Sequence, residues 1–188
     1  IIYQPVPETT LGLTYRSKVD FNLEGNFTAN SPVLDQLGIG TVTDTAALDL
    51  TTPETVNFSL TQQMSDNLKL MFGASWARWS RFDQILVTGD ERGEITNEQQ
   101  NYSNAWAFST GGEYQLTPTL ALRAGVTLDF TPTQDATRSV RIPSDDRRIF
   151  SIGAGWSPTP DLTLDVAYSY LTERSTQVDQ TKTDSFTV

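Results

Sequence analysis

A turn unit recurs along this chain and restricts what it can fold into. It reads aromatic, any residue, Pro or Leu, any residue, Pro, and then, after a short gap, Leu-x-Leu. Tyr3-Gln4-Pro5-Val6-Pro7 leads into Leu11-Gly12-Leu13, and Tyr114-Gln115-Leu116-Thr117-Pro118 into Leu120-Ala121-Leu122. Trp156-Ser157-Pro158-Thr159-Pro160 leads into Leu162-Thr163-Leu164, and a looser copy at 62–67 leads into Leu68-Lys69-Leu70. Pro presets one backbone angle and Asp or Asn bonds its own backbone, so each copy closes a tight turn between two strands. Long polar segments, at 30–46, 87–101, 131–147 and beyond 172, separate the copies. Short turns at one end, long connections at the other and aromatics at the turns predict an antiparallel up-and-down transmembrane β-barrel.

Between turns the chain alternates with period two, the mark of strands with two unlike faces. From Leu120 the even positions are Leu120, Leu122, Ala124, Val126, Leu128 and Phe130, against Ala121, Arg123, Gly125, Thr127 and Asp129. Leu162, Leu164, Val166, Tyr168 and Tyr170 oppose Thr163, Asp165, Ala167 and Ser169. Leu11, Leu13, Tyr15, Val19, Phe21, Leu23 and Phe27 oppose Thr14, Arg16, Lys18, Asp20, Asn22 and Glu24. Less regular stretches at 48–60, 68–86, 102–116 and 148–156 bring the total to about seven strands plus a stub at Ile1-Ile2-Tyr3. Pro53 cannot donate to a ladder, so a bulge or kink is expected there.

A soluble β-sandwich also alternates. Its strands usually run only about 5–6 residues, however, and its apolar face is a dry core. The long strands, the strict alternation of turn and connection, and aromatics near strand ends favour the membrane barrel. Mean hydropathy is -0.34, which a barrel tolerates because half of each strand faces a polar lumen. The chain has no Cys and no His, which removes disulfides, thiolate chemistry, the commonest general base and the commonest zinc ligand. A net charge of -10 lacks the basic footprint of a nucleic-acid binder. Nothing here calls for a cofactor. The ends, Ile1-Ile2-Tyr3 and Asp184 to Val188, read as cut strands, so residues 1–188 are expected to be one partial barrel domain of a larger protein.

Several segments resemble, in order, the FadL family of outer-membrane long-chain fatty acid transporters. Leu11 to Asp20 resembles its GxxYxSKV strand, and Trp76-Ala77-Arg78-Trp79-Ser80-Arg81-Phe82 its SWSxF strand. Pro53-Glu54 follows a Leu-x-Leu strand as in the family, and Phe130 to Thr133 with Arg138 to Arg147 resembles its loop ending in IPDxDR. Phe150 to Gly155 and Asp165 to Tyr170 resemble two later strands. The resemblance implies a monomeric barrel of about 14 strands, plugged by an N-terminal hatch and set in the bacterial outer membrane. It also implies capture of hydrophobic molecules outside and their lateral release into the membrane. The hatch, the early strands and the C-terminal strand are expected to lie outside this segment.

A long-chain acid needs an apolar slot and a cation or donor for its carboxylate. Arg16, Lys18 and Arg123 fall on the polar face and are candidates for that contact. Asp129 and Asp165 would pair such arginines in a wall network, the commoner arrangement for charges inside a barrel. Met71, Ala77 and Trp79 share the face opposite Phe72 and Trp76 and could line a pocket or pack on the hatch. Arg138, Arg141, Asp145, Asp146, Arg147 and Arg148 form a dense cluster. Lipopolysaccharide contact, gating of the outer mouth and a salt-bridged strand top are its possible uses. Asp90, Glu91, Glu94 and Glu98 lack metal-loop spacing and read as a solvated loop.

The leading functional expectation is passive transport of long-chain fatty acids or other hydrophobic molecules, such as aromatics or alkanes, without covalent chemistry. The competing one is a structural, adhesive or general porin-type barrel without a hydrophobic substrate. An outer-membrane protease or phospholipase would use His in its catalytic group, and this segment has none.

Overall fold

The computed structural model describes residues 1–30, 32–38, 40–136, 138 and 143–175, with only the backbone of Leu34. Arg141 and the expected strand at 184–188 lie outside them. The described chain is almost wholly antiparallel strand. In order these are β1 (Ile2–Val6), β2 (Thr9–Arg16), β3 (Val19–Ala29), β4 (Val42–Thr52), β5 (Thr55–Ser65) and β6 (Leu68–Ala77). They continue as β7 (Gln84–Gly89), β8 (Gly93–Gln99), β9 (Ala105–Thr117), β10 (Leu120–Asp129), β11 (Arg147–Thr159) and β12 (Leu162–Glu173). A short helix, α1 (Pro32–Gln36), and a 3-10 turn (Trp79–Arg81) interrupt them.

The recurrent turn unit closes hairpins as its sequence predicts. Val6 pairs Thr9, Ser65 pairs Leu68, Thr117 pairs Leu120 and Thr159 pairs Leu162, so only two residues sit in each turn. A register irregularity lies beside every one of these turns. Pro5 and Pro158 fall inside two of the irregularities, where a missing N–H breaks no ladder bond.

One sheet runs β1-β2-β5-β6-β9-β10-β11-β12, and a second runs β3-β4-β7-β8. The second is the upward continuation of four neighbouring strands of the first. The chain breaks at Ser17-Lys18, at Pro53-Glu54, across 78–83 and across 100–104, so one seam separates the two sheets. Pro53 marks the seam as expected. The segments at 42–46 and 93–99, read above as parts of long loops, belong to β4 and β8. Their alternation is faint because the upper sheet is polar on much of both faces.

Register assigns the two faces of the larger sheet. Tyr15, Val56, Trp76 and Trp106 share one row, and Leu13, Phe58, Ala74, Phe108 and Leu128 the next. These apolar positions stay exposed, as Phe58, Phe72, Phe108, Ile152 and Val166 do. Only Val42 and Ala121 are buried apolar residues among those described. A sandwich would have packed this face against a second layer. Here it is a one-layer wall, and lipid is the environment such a face requires. Near the seam it carries an aromatic band, with Trp76 to Trp106 at 6.5 Å, Trp106 stacked on Phe108 at 5.8 Å and Phe130 edge-on to Phe108 at 6.3 Å. Tyr3, Tyr114 and Trp156 lie at the short-turn end, as the second girdle of a barrel would. The wall is open, since β1 and β12 each pair on one side only.

Candidate functional site

On the inner face, toward the short-turn end, a charge ladder crosses the strands. Lys69 of β6 donates to Glu113 of β9 at 2.7 Å, and Arg123 of β10 donates to Glu113 at 2.6 Å through Nε. The same guanidinium donates to Asp165 of β12 at 2.6 Å. Arg123 therefore spans β11 without touching a side chain there. Gly155 makes this possible: a Cβ on it would lie 2.8 Å from Asp165 Oδ1 and 3.1 Å from Arg123 Nη2. Arg123, a candidate carboxylate anchor, is held by two protein carboxylates.

The second feature sits at the seam. Glu54 receives Arg78 at 3.1 Å and Arg81 at 3.2 Å, tying β4–β5 to the 3-10 turn. Arg78 beside Glu54 holds its carboxyl below the ordinary value, with Arg81 adding to the effect against a small cost of burial. Lys18 pairs Asp20 at 2.8 Å, and Thr51 donates to Asp20 at 2.7 Å. Lys18 chiefly, with Thr51, depresses the Asp20 carboxyl as well. Both carboxylates stand above the aromatic band, outside the lipid-spanning stretch.

Beside this clamp Trp79, Phe82 and Tyr102 form an edge-to-face trio, with Phe82 and Tyr102 5.1 Å apart and Trp79 about 6 Å from each. Burial raises the Tyr102 hydroxyl above its ordinary pKa. The trio walls a cavity of about 560 Å3 that also meets Leu50, Ala105, Pro132, Asp129, Asp145 and Arg147. Arg147 is loosely shared between Glu173 at 3.8 Å and Asp129 at 4.0 Å.

The remaining candidates are dispersed. Arg16 ends β2 on the inner face, in the row of Thr55, Ala77 and Ala105. It is exposed and makes no ion pair among the described residues. Met71 lies mid-wall, opposite Gly111, beside the ladder. Trp79 does not continue the Met71 face, because β6 stops at Ala77 and the 3-10 turn redirects it into the cavity. Arg16, Lys18, Met71, Arg123 and Trp79 thus form no common site. The terminal cluster splits too. Arg138 is buried and pairs with Asp135 at 2.6 Å, and Arg147 faces inward, whereas Arg148 shares the outward alternation of Phe150. Phe82, Tyr102 and Arg147 were not singled out as pocket residues. The seam that gathers them has no signature in alternation beyond Pro53. No group of three metal-ligating side chains occurs among the described residues, the acidic 90–98 stretch included.

A one-layer antiparallel wall with an apolar aromatic-banded exterior, a charged interior ladder and two-residue turns at one end is a piece of an outer-membrane β-barrel. The comparisons narrow the class. Residues 1–187 match the family described as "Outer membrane protein transport protein (OMPP1/FadL/TodX)", and the chain belongs to it. Outer membrane protein P1 of Haemophilus influenzae is 30% identical over 183 residues, covering 97% of this chain and 39% of that protein. The long-chain fatty acid transport protein of Escherichia coli (strain K12) is 24% identical, covering 96% of this chain and 42% of that one. The crystal structure of a Pseudomonas aeruginosa FadL homologue superposes with a TM-score of 0.81 at 29% identity, covering 92% of this chain and 43% of that one. The Pseudomonas putida toluene transporter TodX shares the fold, with a TM-score of 0.58 at 19% identity over 89% of this chain and 41% of that one. The chain spans about two fifths of the length of the relatives it matches.

Proposed function

We infer that this chain is part of a channel for passive uptake of hydrophobic molecules across the outer membrane, long-chain fatty acids or neutral hydrocarbons, with no covalent step. The observation that carries the reading is the seam cavity. Its volume of about 560 Å3 lies in the range of small-molecule sites, and an aromatic trio forms its wall. Arg147, at its edge and only loosely paired, supplies one cation for a carboxylate. Asp129 and Asp145 on the same lining favour a neutral ligand instead. Membership of a transport family and a relative named for long-chain fatty acids support the reading. A porin-type role draws its support from the polar ladder on the wall below.

The test is ligand binding by the full-length parent protein in detergent, followed by tryptophan fluorescence. Oleate and toluene are titrated against wild type, Trp79→Ala, Arg147→Gln and Arg16→Ala. Saturable binding of either ligand, weakened by Trp79→Ala, is the expected result. Loss of oleate alone in an arginine variant assigns the acid class, and toluene binding indifferent to both arginines assigns neutral hydrocarbons. Saturation by neither ligand would overturn the uptake reading and leave the porin-type one.

A further inference from the structure

The arginines at the strand tops divide by face, and the outward pair has no side-chain partner among the described residues. Arg148 stands in the row Leu128–Arg148–Thr172, one row beyond Val126–Phe150–Tyr170 on the lipid-facing alternation. Arg174 follows Thr172 at the next outward position, its backbone N–H bonded to the Asp146 carbonyl at 3.1 Å. Both side chains are exposed, and neither makes an ion pair or side-chain hydrogen bond among the described residues. The neighbouring Arg147, by contrast, faces inward toward Asp129 and Glu173. Below the outward pair the wall is Val126, Phe150 and Tyr170, all exposed, while Leu128 is level with Arg148 and Phe130 with Arg174. A cleft of about 460 Å3 at this edge is lined by Leu128, Phe130, Arg148, Thr172 and Arg174, with Asp129, Asp146, Arg147 and Glu173 completing it.

Two guanidiniums without a partner among the described residues, level with the aromatic band that marks the membrane's upper boundary and above the apolar row Val126–Phe150–Tyr170, complement an amphiphile with acyl chains below and an anionic headgroup above. Guanidinium binds phosphate oxygens in a forked, charge-assisted geometry. The chain is strongly acidic, with a net charge of -10, and the carboxylates of the cleft are already engaged, Asp129 and Glu173 by Arg147 and Asp146 by the Thr131 N–H, which leaves the two outward guanidiniums to attract an anionic headgroup. We propose that Arg148 and Arg174 form a docking site for the phosphate-bearing headgroup of an outer-leaflet lipid, with its acyl chains against Val126, Phe150 and Tyr170. The two arginines face outward and take no part in the lining of the seam cavity, although that cavity and the cleft share Asp129, Phe130 and Arg147.

The experiment uses the full-length parent protein, delipidated in detergent, with lipid adducts read by native mass spectrometry. The probes are lipid A carrying its phosphates, the same lipid dephosphorylated, and inorganic phosphate. Wild type is expected to hold the phosphorylated lipid, with the Arg148→Gln/Arg174→Gln double variant weaker by at least about tenfold, as loss of charge-assisted hydrogen bonds implies. The dephosphorylated lipid should bind both proteins equally and weakly, and free phosphate should not compete at millimolar levels. The Arg148→Lys/Arg174→Lys pair should recover part of the binding, and Arg92→Gln, in the turn between β7 and β8 and outside the cleft, should retain it in full. Heat-modifiable gel mobility confirms that each variant is folded. Equal binding of phosphorylated lipid by wild type and the Gln pair, or indifference of wild type to the phosphate, would overturn the proposal.

Discussion

Asp44 shows how one carboxylate can set the shape of a hairpin it does not belong to. It is nearly buried in β4 and accepts backbone N–H bonds from Thr45 at 2.8 Å, Arg92 at 3.1 Å and Glu91 at 3.4 Å. The last two belong to the turn between β7 and β8. Gly89 lies against it, and a Cβ there would run into the carboxylate. Asp44→Ala should cost about 1 kcal/mol locally, because the freed N–H groups near the surface can turn to water. Hydrogen exchange at Glu91 and Arg92 should accelerate by roughly fivefold to tenfold, in line with that cost; unchanged protection would refute the role. Gly155 works in the opposite sense, through a missing side chain. Gly155→Ala should push Arg123 off Asp165 while leaving the Glu113 contact. Arg123 and Asp165 are both more than a third exposed, so water screens the pair and the loss should be small. In a double-mutant cycle on the refolded parent, the cost should shrink when Asp165 is already Asn. Strict additivity would mean that Gly155 does not serve this pair. Arg123 and Asp165 were legible as partners from their inward alternation, but the glycine between them was not. Its role depends on a neighbour across the sheet, which a single strand's pattern does not contain.

Among the elements, the seam is the least regular feature and the one with the most chemistry. Glu54, bound to Arg78 and Arg81, fastens the seam's strand breaks together beside the Lys18–Asp20 pair and the trio of Trp79, Phe82 and Tyr102. The folded-state pKa of Glu54 is depressed by these arginines. Such a group contributes stability that is complete above its unfolded value and is lost as pH falls through the lower folded one. With an ordinary value of 4.5, the clamp is at full strength at neutral pH and releases only in acid below that value. Asp20, also depressed and held by Lys18 and Thr51, moves the same way. Acidification should therefore loosen residues 78–83 and β7–β8 before the lower wall, seen as faster proteolysis and exchange there. Glu54→Gln should show the loosened seam at neutral pH and a smaller further change in acid, the part that Asp20 carries. A seam equally tight in Glu54→Gln would dismiss the clamp. The sequence disclosed this element unevenly. Pro53 announced its own break, but Ser17-Lys18 interrupts a strand whose alternation runs on unchanged from Tyr15 to Val19. β8, Gly93-Glu94-Ile95-Thr96-Asn97-Glu98-Gln99, resembles a loop because water bathes much of both its faces. Alternation reports an apolar face; where both faces are polar, pairing remains but the signal does not.

At the scale of the molecule, the decisive quantity is the cost of the two open edges. β12 runs from Leu162 to Glu173 and pairs only with β11, and β1 pairs only with β2. Antiparallel strands present about half their backbone groups to each side, so β12 alone leaves on the order of six donors and six acceptors unpaired. In hydrocarbon each unsatisfied group costs several kcal/mol, so the total reaches tens of kcal/mol. Net stabilities of folded domains are only about 5–15 kcal/mol. The turns, the salt bridges and the aromatic band cannot offset that deficit, and no local improvement of the wall would. Residues 1–188 expressed alone should therefore fail to enter a bilayer as a monomer. In detergent they should form mixed oligomers by edge pairing, without the heat-modifiable mobility that the parent barrel should show. Co-refolding with the rest of the parent chain should suppress the oligomers, because the missing strands satisfy both edges at once. A stable, monomeric, membrane-inserted 188-residue species would show that the edges close on themselves, and that the wall described here is one state of a smaller barrel.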